Sequence, residues 1–153
     1  MLNFVRARDV DYVPTKLEDA AIYETLPQGS WLLPSGFSNG EVIYNVPASI
    51  DPVADANAIR NARISFSEMK AMDVKIAGEV TSLRGVLNLV TDQFIAADAA
   101  SMEIGTELTL KLDSDGFVKL GVVSAATDVV KGVVEVSPGA HPEGHLVFHA
   151  TLY

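Results

Sequence analysis

Gly105-Thr-Glu-Leu-Thr-Leu-Lys-Leu112, Asp113-Ser-Asp-Gly116, Phe117-Val-Lys-Leu-Gly-Val-Val123, Val129-Val-Lys-Gly-Val-Val-Glu-Val136 and His145-Leu-Val-Phe-His-Ala-Thr-Leu-Tyr153 decide the fold class. Four β-type runs are separated by turn signals about every ten residues, the rhythm of a compact antiparallel sandwich or barrel. Leu108, Leu110 and Leu112 alternate with Thr109 and Lys111, which gives one apolar and one wet face. Leu146, Phe148, Ala150 and Leu152 share a face in the last run. The alternation predicts strands near 79–91, 106–112, 117–123, 129–136 and 145–153.

Working outward, the chain of 153 residues has one domain's length. A chain this long can bury about two thirds of its unfolded surface without staples. It has no cysteine, which removes a disulfide framework, a thiolate zinc site and a cysteine nucleophile. A net charge of −9 opposes binding to phosphate backbones and anionic lipid, and Arg6, Arg8 and Lys16 are interleaved with Asp9 and Asp11. Neither nucleic acid nor membrane is expected as a partner. No apolar run reaches a membrane span and the first residues lack a signal-peptide centre, so the expectation is a soluble protein made inside the cell.

Proline is concentrated at one end. Pro14, Pro27, Pro34, Pro47 and Pro52 fall in the first 52 residues, and eight of the eleven glycines lie from Gly78 onward. Proline blocks ladder donation and favours edges and turns. The reading is therefore an extended arm with short strands over 1–50, a connecting helix or loop over 51–71, and a compact β domain over 72–153. Within the arm, Ser30-Trp-Leu-Leu33 and Glu41-Val-Ile-Tyr-Asn-Val46 are strand candidates, joined by a turn-rich connection from Pro34 to Gly40. Trp31, with Leu32 and Leu33 beside it, either covers one end of the β domain or docks on a partner; Trp31, Leu32, Leu33 and Tyr44 are the candidate partner contacts. Asp51-Pro52 can start a short helix, and Ser65-x-x-Glu68 matches a capping box. Val74 to Thr91 reads as two strands or one long bent strand, with Gly78 and Gly85 as bend points. Ile95 to Ser101 can hold a helical turn.

The chemical motifs fail on context. Gly36-Phe-Ser-Asn-Gly40 matches a nucleophile elbow, but that elbow needs a strand before Ser38 and a helix after it, and the run from Glu41 is β-type. Asp113-Ser-Asp-Gly116 resembles part of a calcium loop, yet the required ligand positions fall on Lys111 and Val122, so a hairpin turn is the better reading. His141, His145 and His149 are spaced by four. On a strand His145 and His149 are about 13 Å apart, too far to share a metal, and packing is the expected role. No catalytic, cofactor-binding or metal-ligating residue is assigned, and the chain is not expected to be an enzyme.

Gly85-Val-Leu-Asn-Leu-Val-Thr-Asp-Gln-Phe94, Ile104-Gly-Thr-Glu-Leu-Thr-Leu110, Asp115-Gly-Phe-Val-Lys-Leu-Gly121 and Val130-Lys-Gly-Val-Val-Glu135 together resemble the decoration (cement) proteins of tailed-bacteriophage capsids. The resemblance covers about half the chain, and its motifs are turns and strands. It implies a mainly β fold, a small antiparallel β-barrel or sandwich (β-tulip-like) with an extended N-terminal arm and at most one or two short helices. It also implies a structural virion protein, made in the host cytoplasm, that binds the outside of the shell as a homotrimer and clamps neighbouring copies of the major capsid protein. Two other classes stay open: another virion component such as a head-fibre base, tail or adaptor protein, and a small β-barrel enzyme or ligand-binding domain.

Overall fold

The computed structural model describes residues 1–19, 21–22, 25–66 and 78–153. Along the chain these form β1 (Leu2–Leu17), β2 (Trp31–Ser38), β3 (Glu41–Asn45), α1 (Ala56–Arg60), β4 (Arg63–Ile64) and β5 (Glu79–Thr91). A 3-10 helix (Ala96–Ser101), β6 (Glu107–Leu112), β7 (Val118–Val122), β8 (Gly132–Val136) and β9 (Leu146–Leu152) follow. The chain is mainly β, with two short helices among the described residues, as its alternation and turn spacing predict. No described helix is long and apolar enough to cross a membrane.

All nine strands belong to one sheet, in the order β3-β1-β5-β9-β8-β6-β7-β2-β4. Because β2 also pairs with β3, eight strands close into a ring and β4 hangs from β2. Closure is thin. β2 meets β7 through the single pair Trp31–Val118, and β1 meets β3 in parallel through Lys16–Ile43 and Leu17–Tyr44. The result is a ring rather than a true barrel. Period-2 alternation fills it: Leu146, Phe148, Ala150 and Leu152 point in, beside Leu83, Leu87, Leu89, Leu108, Leu120 and Trp31. A second, smaller core of Leu17, Leu26, Leu32, Tyr44 and Val80 lies on the other side of the sheet.

The dominant element is the two-stranded ribbon of β1 and β5, paired from Leu2–Thr91 to Lys16–Glu79. It bends where the register shifts between Arg8 and Asp11. Asp9 takes a left-handed conformation there (φ 56°), and Gly85 on the facing strand has φ +135°. A Cβ on Gly85 would stand 2.7 Å from the Asp9 carbonyl oxygen, so only glycine lets the strands approach this closely. The bend is visible in the rings of Phe4 and Tyr12, which both meet Phe66, at 5.3 and 5.8 Å between centroids. An unbent strand would hold those two residues about 26 Å apart.

The described residues of 1–50 are mostly strand, broken by turns between Leu17 and Trp31, but they are not set apart from the ring. Leu2 is fully buried, and its amide donates to Gln28 Oε1 while Gln28 Nε2 donates to the Phe66 carbonyl. Trp31 and Leu33 join the main core, together with residues from β5 to β9. Proline density is a poor guide here because Pro34 falls at a bulge in β2 and Pro14 in a strand whose β3 contact is limited to Lys16 and Leu17. The connection read from Pro34 to Gly40 is shorter than expected: β2 runs to Ser38, and Asn39 and Gly40 alone make the turn, both with positive φ (53° and 78°), the type I′ geometry that Asn-Gly favours. Asp51 caps the loop ahead of α1, accepting from the Val53 and Ala54 amides, and the helix itself begins later, at Ala56. Ser65 bridges to Ser82; Glu68, the rest of that capping box, and the residues of the long strand before Gly78 lie outside the described residues.

Two outcomes follow from the ribbon. Gly85→Ala places a side chain against backbone at a positive φ and lowers stability by about 2 kcal/mol or more, read as a shift in the denaturant midpoint. Deleting residues 1–17 strips β5 of a partner and opens the core at Leu2, so the truncated chain loses its cooperative melting transition; a sharp transition near the full-length one would make β1 dispensable.

Candidate binding surface

The residues expected to meet a partner are mostly inside. Trp31, Leu32 and Leu33 are buried in the two cores and Tyr44 is 8% exposed, so none of the four offers its apolar side chain to a docking protein. The error came from reading a leucine-rich group beside prolines as an arm, whereas β2 places Trp31 and Leu33 on one face and Leu32 on the other, and each face has its own core.

Two exposed features take their place. The first is the tip of the β2–β3 hairpin. Phe37 is 78% exposed and faces Val42, itself 36% exposed, across the strand pair, one residue pair from the Asn39-Gly40 turn. An exposed phenylalanine on a tight, glycine-closed hairpin is held in place by the ladder beneath it. Its sequence signal was the Asn-Gly pair, which marks a hairpin and therefore assigns Phe37 to a strand rather than to a loop.

The second is a groove of about 550 Å³ on the outside of the ring, lined by Arg6, Ala7, Arg8, Val86, Asn88, Glu135 and His149. Register builds it. Arg6 pairs with Asn88, Asn88 with His149, and His149 with Val133, so one residue from each of four strands stands in a row on the outer face. His149 Nδ1 lies 3.4 Å from Asn88 Oδ1. Arg6 has no carboxylate partner among the described residues, while Arg8 meets Asp9 at 3.6 Å and Arg84 meets Asp11 at 3.0 Å.

The motifs weighed for catalysis sit elsewhere. Ser38 ends β2 opposite Glu41 in the hairpin, so the strand–turn–helix of a nucleophile elbow is not formed. Asp113 and Asp115 flank the β6–β7 turn, and both carboxylates are taken by Lys119 Nζ, at 2.8 and 2.6 Å. His141 and His145 stack at 5.2 Å between centroids, and His141 Nδ1 accepts from the Glu143 and His145 amides, whereas His149 lies within β9. Among the described residues no three His, Cys, Asp or Glu side chains are grouped to hold a metal ion.

Fixed charges tie the loops to the ring. Burial works against ionisation of Asp98, but hydrogen bonds from Lys111 Nζ (2.9 Å) and the Val122 amide (3.0 Å) outweigh it and hold the carboxyl below its ordinary range. The 3-10 helix is thereby clamped onto β6 and β7. Lys131 is the opposite case: a lysine 9% exposed, with no carboxylate beside it among the described residues, whose ammonium donates to the Arg60 carbonyl at the end of α1 (2.9 Å) and sits 5.5 Å from the Trp31 ring centroid. Burial pushes its pKa down to about 8.

Comparison with protein-family models, with curated proteins and with solved structures returned no match.

The folded state binds the Lys131 proton more weakly than the unfolded chain does, so this group's contribution rises with pH between about 8 and the ordinary lysine value near 10.4. The charged form carries a cost on the order of 3 kcal/mol below that window, partly offset by the Arg60 carbonyl and the Trp31 ring. Lys131→Met removes the proton and flattens the rise. The check is the denaturant midpoint of both proteins measured from pH 7 to pH 10.5; parallel curves would contradict the assignment.

Proposed function

We propose that this chain is a structural assembly protein of the capsid-decoration kind, which attaches to the outside of a tailed-phage shell and braces neighbouring copies of the major capsid protein. The observation that carries the reading is the β2–β3 hairpin, which presents Phe37 and Val42 to solvent on a rigid base. A large apolar side chain held out from the surface is costly in water and gains about 25 cal/mol for each Å² it buries in a partner. Aromatic side chains in this setting commonly act as interface anchors.

Further support comes from the resemblance. Its stretches fall, in chain order, on β5 with the Thr91–Phe94 turn, on β6, on β7 and on β8. The Thr91 hydroxyl accepts from the Gln93 amide, and Phe94 bridges to Leu120, so that turn ties the end of β5 to β7. The acidic charge fits a partner that is protein rather than nucleic acid. On this reading attachment belongs to the hairpin, not to a free arm.

Co-sedimentation with shells assembled from the major capsid protein tests the reading. Wild-type protein pellets with the shells, and Phe37→Ser weakens binding at least tenfold, about 1.4 kcal/mol, while its melting transition is unchanged. Absence of wild-type binding would overturn the assignment to shells. Full binding by Phe37→Ser would remove the hairpin from the contact.

A further inference from the structure

We infer that the cleft at the seam of β1 and β3 binds a small zwitterion, an α-amino acid with an apolar side chain. The inference is independent of the capsid reading. It starts where ring closure is thin: β1 and β3 pair only through Lys16–Ile43 and Leu17–Tyr44. A cleft of about 340 Å³ lies at this seam. Pro14 and Lys16 of β1 line it with Glu41, Val42 and Tyr44 of β3, and Arg63 of β4 and Glu79 of β5 complete it. That volume falls at the small end of ligand sites, roughly 300–1,000 Å³.

Four of these side chains are charged, two of each sign, so the lining is neutral in a chain of net charge −9. The next acid along β1, Glu18, lines a different cleft, and its carboxylate accepts from Asn45 Nδ2 (3.0 Å). None of Lys16, Glu41, Arg63 and Glu79 is ion-paired with a described residue. Lys16 and Glu79 do not close on each other although register sets them directly opposite on neighbouring strands. Residues so placed have Cβ atoms about 5 Å apart. A cation and an anion left open side by side match an amino acid, whose ammonium and carboxylate are carried on one carbon.

Arg63 adds an independent observation. Its Nε donates to the Tyr44 hydroxyl (3.0 Å), and its guanidinium sits 5.5 Å from the Tyr44 ring centroid. Nη1 is buried without a hydrogen-bond partner. A buried charged donor with no acceptor is costly, and an anion drawn to this guanidinium offsets that cost. The carboxylate of the ligand therefore faces Arg63 and Lys16, and its ammonium faces Glu41 and Glu79. Pro14 and Val42, both exposed, offer apolar surface to its side chain. A ligand held this way touches both strands of the seam and reinforces the closure of the ring.

Titration calorimetry of the full chain with L-leucine tests this. L-leucine binds at one site per chain, and saturating ligand raises the melting temperature because it binds only the folded state. Isocaproate, which lacks the ammonium, and isoamylamine, which lacks the carboxylate, each bind at least tenfold more weakly. Lys16→Gln and Glu41→Gln each weaken L-leucine at least tenfold and lose its effect on melting. Circular dichroism checks that both variants fold; Glu41 is exposed at the start of β3, so its variant keeps the test decisive if Lys16→Gln unfolds. Absence of heat and of a melting shift with L-leucine, binding of isocaproate or isoamylamine as tight as that of L-leucine, or wild-type affinity in a folded variant would each overturn the site.

Discussion

The close approach of Gly85 to the carbonyl of Asp9 is the constraint on which the rest of the fold depends. A two-stranded ribbon as long as β1 and β5 would run past a small core if it stayed straight. Bent at this point, its first half lines the ring beside β9, and its second half reaches β3 to close it. The residue types follow from that task. Only glycine fits against backbone at 2.7 Å, and an aspartate is among the residues that tolerate a left-handed φ at a bulge. Thr15 and Ser82, buried and hydrogen-bonded to each other at 2.6 Å, hold the ribbon together beyond the bend, where both of its faces are covered.

How much of this was legible depended on range. Alternation in β6 and β9 names the inward residues correctly, because period 2 is a local property of each strand. The Asp-Gly turn marks the β6–β7 hairpin for the same reason, whereas the connection read from Pro34 to Gly40 is strand up to Ser38 and turns only at Asn39-Gly40. What sequence could not convey was which strands lie side by side. β1 pairs with β5 across more than sixty residues, and no local signal announces a partner that distant. Without it, prolines and a leucine cluster in the first third looked like an arm. The same gap hid the candidate surface. Arg6, Asn88, His149 and Val133 are unremarkable separately and become a row only through three pairings. Trp31 shows the same limit: a lone tryptophan beside two leucines could cover the β domain or anchor a partner, and only the strand order shows that its ring packs within the core under the Lys131 ammonium.

Electrostatics divides the molecule in a way composition conceals. Two half-buried lysines have carboxylate partners, Lys111 in Asp98 and Lys119 in Asp113 and Asp115. Buried Lys131 has no such carboxylate among the described residues, and burial beside a carbonyl and an aromatic face leaves its proton loosely held. Exposed pairs such as Arg8–Asp9 contribute little to stability, since solvent screens them.

The ring separates the two exposed features. Counting around its eight strands, β2 stands four places from β9, so the hairpin carrying Phe37 and the groove beside His149 lie on opposite sides. A contact at the hairpin leaves the groove free. What the proposed brace needs is an apolar side chain held stiffly away from the core, since a mobile one would lose conformational entropy on docking. The ladder between β2 and β3, joined to β7 on one side and to β1 on the other, supplies that stiffness.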